Sequence, residues 1–211
     1  RLKVLWHLFL VYISWGTIYV GFRLTLEIVG PFFACGFRMG LGGLVLCLML
    51  WILGKWRHIR KKDLQHACFY GLFLVVVASG FLSYGQQYLP SGIAAVITGS
   101  TPISMIVFGW LFAGEEKPTK TQCLGFVGGS SGLFLLTQEQ CANAPLGLFC
   151  LIGVFFVLMA TFGWVAGSLL IKRNPRSHPL PPLQDCGLLL LCGGLECLFL
   201  GILFGEHCNT H

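Results

Sequence analysis

Two ionisable side chains stand deep inside apolar runs: Arg38 in "PFFACGFRMGLGGLVLCLMLW" (residues 31 to 51) and Glu196 in "PLQDCGLLLLCGGLECLFLGILF" (residues 182 to 204). A guanidinium keeps its charge at any ordinary pH, so Arg38 must find water, a partner anion or a ligand. An unpaired charge near the centre of a membrane helix costs about 2.5 to 3.5 kcal/mol on insertion scales. Arg38 lies seven residues after Pro31, roughly 10 Å of helical rise from that end. Glu196 lies fourteen residues into a helix running the other way, about 20 Å from its start, so the two share a depth. One reading places Arg38 on an aqueous path that attracts a carboxylate or phosphate, with Glu196 as its partner or as a proton-linked site. The other makes Arg38 part of an internal salt bridge, or lets it snorkel to the headgroups.

A second constellation is "AVITGSTPISM", in which Thr98, Thr101, Pro102 and Met105 fall close to one helical face. Pro102 frees the carbonyl of Thr98, so a kink is expected there, and a kink amid hydroxyls can line a cavity. The alternative is that each hydroxyl only bonds the backbone beside the proline. Trp15, Tyr19 and Trp164 lie deep in their apolar runs and are candidates for the same path, whereas Tyr84, Gln87 and Tyr88 suit an interfacial belt. "GFVGGSSG" sets Gly125, Gly128, Gly129 and Gly132 at small-xxx-small spacing, which favours close packing within the subunit or across a dimer. It is no phosphate loop, because no Lys follows and no strand precedes it.

The elements that must position these residues follow from composition. Of 211 residues, 55% are hydrophobic and 10% are charged, where a soluble domain carries about 25% charged. Seven segments approach or exceed the roughly 20 residues that cross a bilayer, at about 4 to 22, 31 to 54, 67 to 89, 92 to 114, 121 to 137, 146 to 171 and 182 to 205. Lipid leaves free backbone groups unsatisfied, so these are helices. Pro31, Pro145 and Pro182 suit first turns, Ser91 is positioned to cap the fourth helix, and Thr119 with Gln122 forms a capping-box pattern.

Most cations fall between the spans. Arg1, Lys3, Lys55, Arg57, Arg60, Lys61, Lys62, Lys117, Lys120, Lys172, Arg173 and Arg176 all lie on one side if seven helices alternate, which places the N-terminus in the cytoplasm. The net charge of +6 is therefore a topology signal rather than a nucleic-acid patch. Cys35, Cys47, Cys68, Cys123, Cys150, Cys192 and Cys197 lie in apolar segments and read as small hydrophobes, while only Cys141 and Cys208 suit an oxidising compartment. No zinc-spaced Cys/His cluster, nucleophile elbow or Walker loop occurs, so neither a metal, a cofactor nor catalysis is expected.

Pro31, Gly42 and Gly43 match Pro182, Gly193 and Gly194 at one constant offset, and "WGTIYVGF" from Trp15 faces "WVAGSLLI" from Trp164. A repeat unit of five helices is odd, so its second copy is inserted upside down. The division expected is a five-helix unit over residues 1 to 140 and two helices of a second over 141 to 211, with about three more to follow.

The order of several stretches resembles the EamA-type transporters of the drug/metabolite transporter superfamily, ten-helix carriers built from two five-helix repeats. "SWGTIYVGFR" and "GPFFACGFRMGLGG", with its arginine, resemble the family's first two helices. "YLPSGIAAVITGSTPISMIVFGWLFAGEEKPTKTQCLGFVGGSSGLFLL" (residues 88 to 136) resembles its fourth and fifth, including Pro102, Glu116, Gln122, Gly125 and Gly132; the second repeat, from "PLGLFCLIGVFFVLMATFGWVAGSLLIKR", matches more loosely. The resemblance implies an all-α polytopic transmembrane bundle of inverted five-helix repeats, with about seven of ten helices present. It implies a secondary carrier in the bacterial inner membrane that exports small metabolites such as amino acids, with the lipid bilayer as partner. A non-transporting scaffold or accessory subunit is the alternative, and a lipid-handling carrier a third reading.

Overall fold

A computed structural model of the chain describes residues 4–14, 29–142, 147–175 and 180–206. The described residues form helices and no strand: α1 (Val4–Ser14), α2 (Pro31–Ile52), α3 (Lys61–Gly85), α4 (Ser91–Ala113), α5 (Lys120–Ala142), α6 (Leu148–Arg173) and α7 (Pro182–Leu203). The polytopic helix bundle is thus what forms. Five of these, α2, α3, α4, α6 and α7, are long and apolar enough to cross a membrane. The remainder of the first expected span, beyond Ser14, lies outside the described residues. The 23-residue α5 has polar end turns and a Gly/Ser-rich middle, which keep it out of that set.

Local chemistry sets the ends. Pro31 and Pro182 open α2 and α7, and the Thr119–Gln122 box forms, with the Gln122 Oε1 accepting from the Thr119 N–H at 2.9 Å. At two helix starts the chemistry differs from expectation. The helix α3 starts at Lys61 rather than near residue 67, because the Asp63 carboxylate accepts the Arg60 N–H at 3.0 Å and hydropathy is blind to a charged first turn. Ser91 heads α4 without capping it, since Pro90 holds the N-cap and its carbonyl accepts from Ile93 at 3.0 Å.

The centre of the bundle is the antiparallel pair α2 and α7. A Cβ on Gly194 would stand 2.5 Å from the Gly40 nitrogen and 3.0 Å from the Gly36 carbonyl. A Cβ on Gly43 would stand 2.6 Å from the Leu191 nitrogen and 2.7 Å from the Gly187 carbonyl. These contacts exchange under the offset that relates Pro31 to Pro182, so the sequence echo is a two-fold axis between two helices. Both have 22 residues. Each ends on a left-handed glycine, Gly54 at φ +65° and Gly205 at φ +67°, a conformation other residues enter only with strain.

The ends of this pair are fastened by different chemistry. At the basic end, buried Gln184 accepts from the Arg57 N–H at 3.0 Å and donates to the Arg57 carbonyl at 2.7 Å. At the opposite end, the Glu206 carboxylate accepts from the Phe32 and Phe33 N–H groups at 3.1 and 2.9 Å, an anion on the first turn of α2. Cys35 and Cys197 pack with Val75 and Val76, which ties the pair to α3.

The third helix sits between α7 and α6. Its middle, Leu72–Gly80, is wound as a π-helix and sets Val75 against Gly193 of α7 and Val77 against Gly163 of α6. At the basic end Lys172 pairs with Glu115, and Arg173 donates to the Phe112 carbonyl at 3.2 Å. The segments after α2, α4 and α6 therefore share one end.

Two stability outcomes follow. Gly194→Ala and Gly43→Ala each drive a Cβ into backbone that cannot yield, so each should cost about 1 to 3 kcal/mol, against less than about 0.5 for Gly128→Ala, whose Cβ meets nothing within 4 Å. Thermal midpoints in detergent check this ranking. Glu206→Ala should cost about 1 to 2 kcal/mol and Glu206→Gln less, since an amide oxygen still accepts; denaturant titration reads the difference.

Candidate functional site

Helix packing places the two intramembrane charges. Gly194 lies against Gly36 and Gly40, so Arg38 is level with the turn of α7 that carries Glu196. Each charged residue is two positions from a contact glycine, and about 200° of helical rotation turns it to the far side of its own helix. The depths agree and the heads diverge. Arg38 is exposed beside Cys35 and in the field of Cys197. Glu196 is half-buried near Cys192 and Cys197, and its Oε2 is buried with no hydrogen-bond partner among the described residues. An Arg38–Glu196 ion pair is therefore not formed, because the face that glycine contact selects points both side chains away from the α2–α7 seam.

Pro102 does interrupt α4. Ser100 sits in a turn between Ser91–Gly99 and Thr101–Ala113, and the freed Thr98 carbonyl accepts the Thr101 hydroxyl at 2.6 Å. Thr98 donates to the Ala94 carbonyl at 2.8 Å, Ser100 to that of Ile97 at 2.6 Å and Ser104 to that of Ser100 at 3.1 Å. Every hydroxyl proton of the cluster is thus spent on backbone, leaving oxygen lone pairs as what a solute would meet. A cavity of about 370 Å³ opens between α4 and α5, walled by Pro102, Ile103, Ile106, Gln122, Phe126 and Gly129 among others. Of the expected path residues that the structure describes, only Pro102 lines it. The expected close packing through Gly125, Gly128, Gly129 and Gly132 is not seen among the described residues, since a Cβ on any of them meets nothing within 4 Å.

At the end remote from the basic loops, aromatic rings form a chain. Phe32 stacks on Phe204 at 5.4 Å, Tyr84 touches Phe32 and Phe156, and Tyr88 stacks on Phe149 at 5.9 Å. Tyr84 and Tyr88 therefore join α2, α3 and α6 at that end. Trp164 is 41% exposed on α6 and is absent from the α4–α5 cavity wall. Trp15 and Tyr19 lie outside the described residues.

Three features escaped the sequence reading: the π-wound stretch, the Glu206 fastening and the meeting of Cys35 with Cys197. The first leaves no periodic mark in "LFLVVVASG", which is apolar at seven of nine positions. The second lies just past the last apolar span, where hydropathy gives no sign that a carboxylate returns to the start of α2. The third follows only once the α2–α7 register is known.

The EamA-like transporter family model matches residues 2–138. Over 202 residues the chain is 28% identical to the uncharacterized inner membrane transporter YedA of Escherichia coli K12, covering 94% of this chain and 62% of that protein. It is 27% identical over 203 residues to an uncharacterized transporter of Archaeoglobus fulgidus (89% and 71% covered), and 27% over 170 residues to the uncharacterized transporter YoaV of Bacillus subtilis (81% and 57%). The chain thus spans about three fifths of the length of the Escherichia coli and Bacillus relatives. No solved structure matches it. The ordered motifs, the apolar helices and the match over residues 2–138 agree that this chain is an integral membrane protein belonging to the EamA-like transporter family, within the drug/metabolite transporter superfamily.

Proposed function

We propose that the chain carries one five-helix repeat (residues 1 to 140) and the start of its inverted copy (from 141) of a secondary carrier that exports a small polar or amphipathic metabolite. Amino acids and related compounds are solutes whose carboxylate suits a guanidinium at membrane depth. The observation that carries this reading is the reciprocal α2–α7 contact: a two-fold axis in the membrane plane lets one repeat rock against the other and exchange outward for inward access. Arg38, turned away from that seam, supplies a fixed positive charge to a carboxylate. Thr98 and Thr101 offer acceptor oxygens, Pro102 the break beside them, and Trp15, Tyr19 and Trp164 aromatic surface.

Glu196, with a carboxylate oxygen lacking any described partner, is the proton-linked group of this carrier. The N-terminus and the basic loops face the cytoplasm of a bacterium by the positive-inside rule. The printed name of the Escherichia coli relative supports an inner-membrane setting. The accessory-subunit reading gains from the hydroxyls of α4, which serve the helix itself.

Reconstitution of the full-length protein in liposomes separates the two. Arg38→Ala should lower exchange of labelled amino acids at least tenfold with an unchanged thermal midpoint, and Arg38→Lys should restore part of it. A scaffold instead gives no exchange in the wild type and a destabilised Arg38→Ala. For Glu196→Gln, exchange should persist while accumulation driven by a pH gradient is lost, measured in the same vesicles under equal and unequal pH.

A further inference from the structure

Cysteines recur along α7 opposite cysteines of its neighbours, Cys192 beside Cys68 and Cys197 beside Cys35. The second pair is the more sharply defined. Both thiols are 0% exposed, Cys197 donates its S–H to the Cys35 sulfur at 3.8 Å, and Cys35 donates in turn to the Val75 carbonyl at 4.0 Å. Glycines bracket the pair: Gly36 follows Cys35, Gly194 precedes Cys197 by three residues, and backbone contact at both holds the helices at minimum separation. A disulfide needs the sulfurs at about 2.05 Å, a closure of roughly 2 Å within reach of side-chain rotation across such a seam. Arg38 lies one turn along α2 from Cys35, in contact with it, and gives a sulfur anion there a counter-charge.

We propose that Cys35 and Cys197 are an oxidisable dithiol whose disulfide pins α2 to α7 across the two-fold seam. The oxidant is a small neutral hydroperoxide, because sulfurs with no exposed surface inside an apolar bundle are closed to charged thiol reagents and open to a solute that enters lipid. The Cys35 sulfur attacks the terminal peroxide oxygen, the O–O bond breaks, and the leaving oxygen takes up the thiol proton to depart as an alcohol, or as water from hydrogen peroxide. The resulting sulfenic acid is attacked by the Cys197 sulfur, the S–O bond breaks, and water leaves with the Cys197 proton. Two thiols are oxidised by two electrons and one peroxide is reduced. A dithiol reductant reverses the bond.

The functional consequence rests on the carrier reading, since a covalent pin at the seam arrests rocking; the chemical step does not. The test uses the full-length protein in liposomes with a protease site in the α6–α7 loop and every cysteine except Cys35 and Cys197 changed to alanine. After cumene hydroperoxide and cleavage, the two halves should run together on a non-reducing gel, separate on adding dithiothreitol, and run apart in Cys35→Ser and Cys197→Ser. Mass spectrometry of the unmutated protein should find the same linked peptide, which covers failure of the cysteine-depleted variant to fold. Separable halves and no linked peptide, while exposed Cys123 of the unmutated protein is oxidised by the same treatment, would overturn the proposal, as would linkage only through Cys68 and Cys192. Exchange should fall at least tenfold on oxidation and recover with reductant. Linkage with undiminished exchange refutes the pinning, and absence of exchange before oxidation refutes the carrier reading while leaving the linkage result intact.

Discussion

The fold depends on two helices touching backbone to backbone. Between α2 and α7 the usual motive for association is missing, because lipid tails are as apolar as leucine and no water is released by contact. Besides the fastenings at its ends, what holds the seam along its length is dispersion at short range, strongest where no side chain keeps the backbones apart. Gly36 and Gly43 on one helix and Gly187 and Gly194 on the other remove those side chains. Two further helices inherit their places from this seam: α3 lies on it through Cys35, Cys197, Val75 and Val76, and α6 lies on α3 through Gly163 and Gly167.

Much of this was legible in the sequence. Apolar length found the spans, proline marked two of their starts, and the matched positions around Pro31 and Pro182 pointed to a repeat. The missing part was the partner. Small residues show that a helix can be approached closely without showing by what, and "GFVGGSSG" carries as strong a small-residue signal as α2, yet a Cβ on any of its four glycines meets no described atom within 4 Å. Spacing reports permission; packing reports use.

The same distinction governs the candidate site. Rise per residue was enough to set Arg38 and Glu196 at one depth, because depth is a property of each helix alone. Whether their heads meet depends on rotation about two axes, which is settled by the glycine faces and lies beyond what either segment encodes by itself. At α4 the chemistry of Pro102 was readable as a lost donor. The outcome for Thr98 and Thr101 was a competition between backbone and solute for the same protons, and the backbone, being closer, holds them.

The fastenings at the two ends of the α2–α7 pair break its symmetry. An amide grips the chain beyond α2 at the basic end, and a carboxylate grips the start of α2 at the other. An amide carries no charge and is indifferent to counter-ions, whereas a carboxylate on peptide N–H groups is a charged contact that salt weakens. The two ends of the pair are therefore held by bonds of unequal temper: high ionic strength slackens the Glu206 side first, an asymmetry that the two-fold-related helices alone would not possess.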